Sequence, residues 1–199
     1  MKSFCINLKG ARERRHHSER EFAREGIEVT FVRGIDARQS RLSHDESWIT
    51  PGHIGCTLSH IMLAEQVRHG DYGVTVIFED DPVLEPGFKD LLTQKLNTLP
   101  YDWDIAMISW FADGSRYDLI DKEIINDDWF RLKGGNVWGT CCYAIKGRKG
   151  AERLLDCISP ITSHVDRMFH ESAKAGKLHS YFLTHPLVWP QFSFDSQTA

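Results

Sequence analysis

Cysteine is scarce and unpatterned in this chain. Five occur among 199 residues: Cys5, Cys56, the adjacent Cys141 and Cys142, and Cys157. An odd number without repeated Cys-x-x-Cys argues against a disulfide framework and against a zinc site. Reduced thiols in a cytosolic protein are the expectation. No apolar run approaches the length of a membrane helix. The opening MKSFCINLKGARERR has only a short apolar stretch before its charges, so it does not read as a signal peptide. The ten histidines are scattered, without the i, i+4 His pairing of a zinc helix. Gly-x-Ser-x-Gly, the P-loop and Gly-x-Gly-x-x-Gly are all missing, which removes support for a hydrolase elbow or a P-loop NTPase. Internal repeats, low-complexity tracts and Pro/Gly-rich linkers are missing too, so one domain over residues 1–199 is expected. Nor is there an excess of positive charge. The net charge is −4 and the pI about 6.2, which argues against a nucleic-acid partner held by bulk electrostatics. Arg12, Arg14, Arg15, His16 and His17 nevertheless form a local basic patch, which leaves peripheral contact with a membrane surface open.

What is present reads as a globular α/β chain, 41% hydrophobic and 26% charged. Phe4 to Leu8 predicts a strand, residues 11–25 a polar helix ended by Gly26, and Val29 to Val32 a second strand. Residues 34–51 lack periodicity and read as a loop. From His53 to His69, Ile54, Leu58, Ile61, Met62 and Val67 recur at helical spacing. Residues 87–99 read as a helix, Ile105 to Ser109 as a strand, and 110–128 as a polar, mobile loop. Val137 to Ile145 is β-like, 148–157 and 164–175 helical, and Tyr181 to Val188 extended. Strands alternating with helices predict a central, mostly parallel sheet flanked by helices.

The richest stretch is Val74-Thr75-Val76-Ile77-Phe78-Glu79-Asp80-Asp81-Pro82. A buried-strand run ends in three consecutive carboxylates, and Pro82 is expected to stop the strand. The acids then sit at the carboxyl end of a central strand, where open α/β sheets place ligands. Two carboxylates about 5 Å apart repel by roughly 3 kcal/mol at an effective dielectric near 20. A divalent cation is the simplest compensation; a solvated loop is the plainer alternative. Strand alternation puts Glu79 and Asp81 on one side and Asp80 on the other. A hard cation on one or two carboxylates, completed by phosphate oxygens, is the usual nucleotide arrangement.

Three further segments admit two readings each. In Gly55-Cys56-Thr57-Leu58-Ser59-His60, glycine allows close approach while Ser59 and His60 face a nucleotide, or the helix is simply well packed around a satisfied histidine. Gly134-Gly135-Asn136-Val137-Trp138-Gly139-Thr140 is a glycine-flanked turn that approaches a sugar or phosphate, or a hairpin corner with a core tryptophan. In Ser163-His164-Val165-Asp166, Ser163 reads as an N-cap. Asp166 is either a first-turn acid favoured by the helix dipole or a general base in a pocket.

Taken in order, these segments resemble glycosyltransferase family 25, the group of lipopolysaccharide and lipooligosaccharide glycosyltransferases and related collagen galactosyltransferases. The resemblance runs through Ile6-Asn7-Leu8 with Arg12 and Arg14-Arg15, Phe31 to Asp36, Gly55-Cys56-Thr57-Leu58-Ser59-His60, Glu79-Asp80-Asp81, Trp138-Gly139-Thr140 with Tyr143 and Gly150-Ala151, and Val165-Asp166. It implies a GT-A-like fold, a UDP-sugar donor carrying galactose or a related hexose, Mn²⁺ or Mg²⁺, and inversion at the anomeric carbon. It further implies Asp166 as base and Glu79 and Asp81 as metal ligands. Asn7, Arg12, Asp36, Ser59, His60 and Asp80 fall on the donor side, with Gly139 and Thr140 along the sugar or acceptor edge. The acceptor would be a glycan or glycolipid. His185 and Asp195 are candidates for a third metal ligand. Two other classes compete: a non-catalytic sugar-nucleotide or glycan-binding module, and a metal-dependent phosphodiesterase built on the acidic triplet.

Overall fold

Val74–Phe78 (β3) is buried along nearly its whole length, and its composition explains why: β-branched and aromatic side chains on both faces need cover on both faces. The computed structural model describes residues 1–39, 49–112, 114 and 116–195. In it β3 pairs in parallel with β1 (Lys2–Asn7), which pairs in parallel with β2 (Thr30–Arg33). On its other side β3 meets β10 (Cys142–Lys146) in antiparallel register, Cys142 opposite Phe78 and Tyr143 opposite Ile77. β10 continues antiparallel to β5 (Ile105–Met107), and β5 parallel to β11 (Ser180–Leu183). β8 (Trp129–Gly134) and β7 (Asp121–Ile124) complete an eight-stranded sheet by antiparallel pairing. The α/β class and flanking helices are as expected. The pairing is mixed, with parallel pairs on both sides of the antiparallel β10.

Side-chain alternation divides the core between the two faces of the sheet. Phe4, Ile77, Tyr143 and Ile145 point to one face, with Leu63 of α2 (Pro51–His69), Leu154 of α4 (Gly147–Ile158) and Phe169 of α5 (Val165–Lys174). Cys5, Val76, Phe78, Cys142 and Ala144 point to the other, with Phe22 of α1 (Arg12–Arg24) and Leu92 of α3 (Phe88–Leu96). α1 ends at Glu25 before Gly26, whose φ of +61° suits glycine.

Four local expectations need correction. The supposed mobile loop at 110–128 contains β6 (Phe111–Ala112), a 3₁₀ turn at Tyr117–Leu119 and the edge strand β7. Every residue of β7 is exposed, so it shows no apolar alternation to read; it is held by pairing with β8 and by Glu123–Lys133 at 2.8 Å. Val137 to Ile145 is not one strand. β9 (Val137–Trp138) pairs with β6, and the chain breaks at Gly139, with φ +101°, before entering β10. β3 does stop ahead of Pro82, at Phe78, but Pro82 itself opens another strand: β4 (Pro82–Leu84) pairs with β12 (Val188–Pro190) on a separate ribbon. Ser163 is not the cap of α5; His164 holds that place without a side-chain cap bond. Of the loop at 34–51, residues 40–48 lie outside the described residues, and Ala37–Gln39 is a 3₁₀ turn.

Candidate active site

The three acids lie in the irregular link between β3 and β4, and that link decides where each carboxylate goes. Strand alternation does not survive there. Asp80 and Asp81 both reach Arg14, at 2.6 Å and 2.9 Å, while Glu79 turns to Thr140, just ahead of β10, and to His60 of α2. Arg14 is carried on α1 one turn before Ser18, whose hydroxyl lies 2.6 Å from the Asp80 carbonyl. Asn7, at the end of β1, donates to the second Asp80 oxygen at 2.7 Å. Both Asp80 oxygens are thus committed to the protein. Arg14 is the site residue the sequence reading left out, since Arg12 stood for that turn. The available signal was Arg14 and Ser18 at i, i+4, which puts both on one helix face.

Glu79 Oε1 accepts from the Thr140 hydroxyl at 2.6 Å and lies 3.4 Å from His60 Nε2, outside hydrogen-bond alignment. His60 is fully buried and its Nδ1 meets the Tyr143 hydroxyl at 2.9 Å. Burial raises the Glu79 carboxyl, but His60, Thr140 and Arg14 outweigh it and the net shift is downward. Asp81 goes the other way. Burial and the Glu79 charge push it up to about 6, against the pull of Arg14. Three carboxylates face one guanidinium here. That surplus of negative charge suits a divalent cation, with Glu79 and Asp81 the groups able to take it.

These side chains open on a cavity of about 380 Å³, also bordered by Asp36, Ser59, Gly139, His164, Asp166 and Phe192. Asp166 sits in the first turn of α5, one oxygen accepting from the Gly139 N–H at 3.3 Å and the other from the Arg167 N–H at 2.8 Å. Gly139 is needed there: a Cβ would come 3.0 Å from the Phe111 ring. Ser59 borders the cavity, but its hydroxyl serves the fold, donating to the Gly55 carbonyl and accepting from the Ile35 N–H at 2.8 Å. Asp36 binds Arg38 through both oxygens. His185 and Asp195 are exposed and do not border the cavity.

The basic patch divides. Arg14 turns inward and His17 is buried, its Nε2 on the Pro82 carbonyl at 2.8 Å. Arg12, Arg15 and His16 line a second cavity with Asn7, Lys9 and Arg33. Arg12 therefore lies apart from the acids.

Residues 1–169 match the family model described as glycosyltransferase family 25 (LPS biosynthesis protein). The chain belongs to glycosyltransferase family 25. Among curated relatives, procollagen galactosyltransferase 2 of Mus musculus is 31% identical over 123 residues, 54% of this chain and 19% of that protein. A glycosyltransferase 25 family member of Aedes aegypti is 24% identical over 211 residues, 94% of this chain and 34% of that protein. The chain thus spans about a third of the length of one of these relatives and about a fifth of the other. Its fold is similar to that of a glycosyltransferase involved in glycosylation of the major capsid of PBCV-1, with TM-score 0.52, 8% identity, and 93% and 80% of the two chains covered. The GT-A-like architecture expected from the sequence is the one observed. All the cavity side chains discussed as family 25 matches, from Asp36 to Asp166, fall inside the matched span.

Proposed function

We propose that this chain moves galactose or a related hexose from a UDP-sugar to a glycan or glycolipid acceptor, with inversion. The carrying observation is that Glu79, Asp81, Gly139, Thr140 and Asp166, drawn from three separate stretches of sequence, border one cavity. Glu79 and Asp81 would hold Mn²⁺ or Mg²⁺. When bound, such a cation acts as a Lewis acid that offsets charge on the departing diphosphate. Thr140 fixes Glu79, and Arg14 fixes Asp81. Asp166 accepts the proton of the acceptor hydroxyl, because a sugar hydroxyl is too weakly acidic to attack unaided. The Gly139 N–H and the Arg167 N–H at the helix start orient that carboxylate. No helix among the described residues is long and apolar enough to cross a membrane. The cations lining the second cavity support peripheral contact with an anionic membrane surface as part of this reading.

The test follows UDP release and product formation with a panel of UDP-hexoses, with Mn²⁺ and with chelator. Asp166→Asn should bind UDP normally yet lose two or more decades of transfer rate, roughly the span of general-base catalysis. Near-normal transfer by that variant at saturating substrates would move the base elsewhere. Donor binding without any turnover in the unaltered protein would favour the non-catalytic module.

A further inference from the structure

Helix α2 presents two metal-ligating side chains one turn apart. Cys56 and His60 stand at i and i+4, so they share a face. The structure brings Glu79 to the same place. Cys56 Sγ, a His60 ring nitrogen and a Glu79 carboxylate oxygen all lie within 4.8 Å of one another. In a tetrahedral zinc site, bonds of about 2.0–2.3 Å set ligand atoms roughly 3.3–3.8 Å apart. Side-chain adjustments of the order of 1 Å would bring the three onto one ion.

His60 supplies the second observation. Its ring is fully buried, yet Nε2 has no hydrogen-bond partner and lies 3.4 Å from Glu79 Oε1. An unpaired buried nitrogen is costly. On binding a cation in place of any Nε2 proton, His60 would keep Nδ1–H on the Tyr143 hydroxyl and turn the Nε2 lone pair toward the point that Glu79 faces. Metal-bound histidines are oriented in this way, by a bond from the other ring nitrogen. The Thr140 hydroxyl holds the carboxylate similarly.

We propose that Cys56, His60 and Glu79 form a site for a Zn²⁺-class cation, its fourth position open to the cavity. Thiolate and imidazole select zinc over manganese or magnesium, which favour oxygen ligands. The set differs from the Glu79–Asp81 pair but shares Glu79. Zinc there withdraws Glu79 from the donor-side cation and inhibits transfer; this consequence alone rests on the function proposed above. Cysteine with cysteine and histidine with histidine lack zinc spacing along this chain, whereas the mixed pair Cys56 and His60 stands at i, i+4.

The full chain, freed of metal, is titrated with Co²⁺ as a spectroscopic stand-in for Zn²⁺. One equivalent should give a thiolate-to-cobalt charge-transfer band that Zn²⁺ displaces. Cys56→Ser should abolish the band, while Cys141→Ser and Cys157→Ser retain it. His60→Gln should weaken Co²⁺ binding at least tenfold. A band that persists in Cys56→Ser, or that never forms in the unaltered protein, overturns the proposal. Should Cys56→Ser fail to fold, the unaltered protein still decides: Zn²⁺ should slow alkylation of Cys56 at least tenfold, read by peptide mass spectrometry, and an unchanged rate overturns the site. Transfer with Mn²⁺ is measured separately. A cobalt band without transfer leaves the zinc site standing and removes the transferase reading.

Discussion

Arg14 is the residue on which the acidic cluster depends. Its guanidinium lies between Asp80 and Asp81, and all three side chains are at most 15% exposed. Arg14→Ala would leave two buried carboxylates facing Glu79 without a cation. Breaking a buried pair in this way costs about 3–5 kcal/mol, so urea unfolding at neutral pH should show a loss of that order. A loss under 1 kcal/mol would mean that water already screens the pair. His170 is the second informative residue. Its Nδ1 bonds the Val137 carbonyl at 2.6 Å, and burial pushes the ring down to about 4, against Asp166 and with Lys174. An unfolded histidine titrates near 6.5. Between those values the unfolded chain binds the extra proton, so stability falls as pH drops from 6.5 toward 4, by about 3 kcal/mol in all. His170→Gln should flatten this part of the unfolding free energy against pH. An unchanged slope would place the titration on another group.

At the scale of elements, α2 carries the tightest constraint. A Cβ on Gly55 would come 2.4 Å from the Ile35 carbonyl oxygen and 3.0 Å from the Ala37 nitrogen. Both are backbone atoms, so α2 must shift rather than a side chain yield. Overpacking typically costs 1–3 kcal/mol, more than the roughly 1 kcal/mol that alanine gains over glycine in a helix. Gly55→Ala should therefore melt several degrees lower and bind UDP more weakly, since His60, which faces Glu79, rides on the same helix. Melting and UDP titration equal to the unaltered protein would show that the approach is looser. α2 was legible because Ile54, Leu58, Ile61 and Met62 recur at helical spacing, although its buried face is the one that carries Ser59, His60, Leu63, Ala64 and Val67. β7 and β8 were not. The first is an edge strand with no buried face, and the second is told from its surroundings only by its partners.

At the scale of the whole molecule, ligand binding should appear as stability. A ligand at about 100 times its Kd adds about 2.7 kcal/mol to the folded state. For a chain of this size that raises Tm by about 5–10 °C. UDP with Mn²⁺ should give such a shift by scanning calorimetry, and each alone a smaller one, because the surplus negative charge of the acids opposes a diphosphate without a cation. Equal shifts for UDP with Mn²⁺ and with chelator would remove the cation from the donor site.

The sequence alone determined the α/β class, most helices, the central acidic strand and the membership of Glu79, Asp81, Gly139, Thr140 and Asp166 in one ordered set of motifs. The first three follow from local periodicity and composition, which each segment carries by itself; the grouping of those five residues rests on the resemblance to glycosyltransferase family 25. Only the tertiary structure decided which carboxylate meets which partner. Asp80 is tied to Arg14 and Asn7, Asp81 to Arg14, and Glu79 to Thr140 and the face of α2 that bears Cys56 and His60. The reason is physical. The acids leave the strand before Pro82, so alternation no longer fixes their direction, and charges in a partly buried pocket go where distant residues offer compensation.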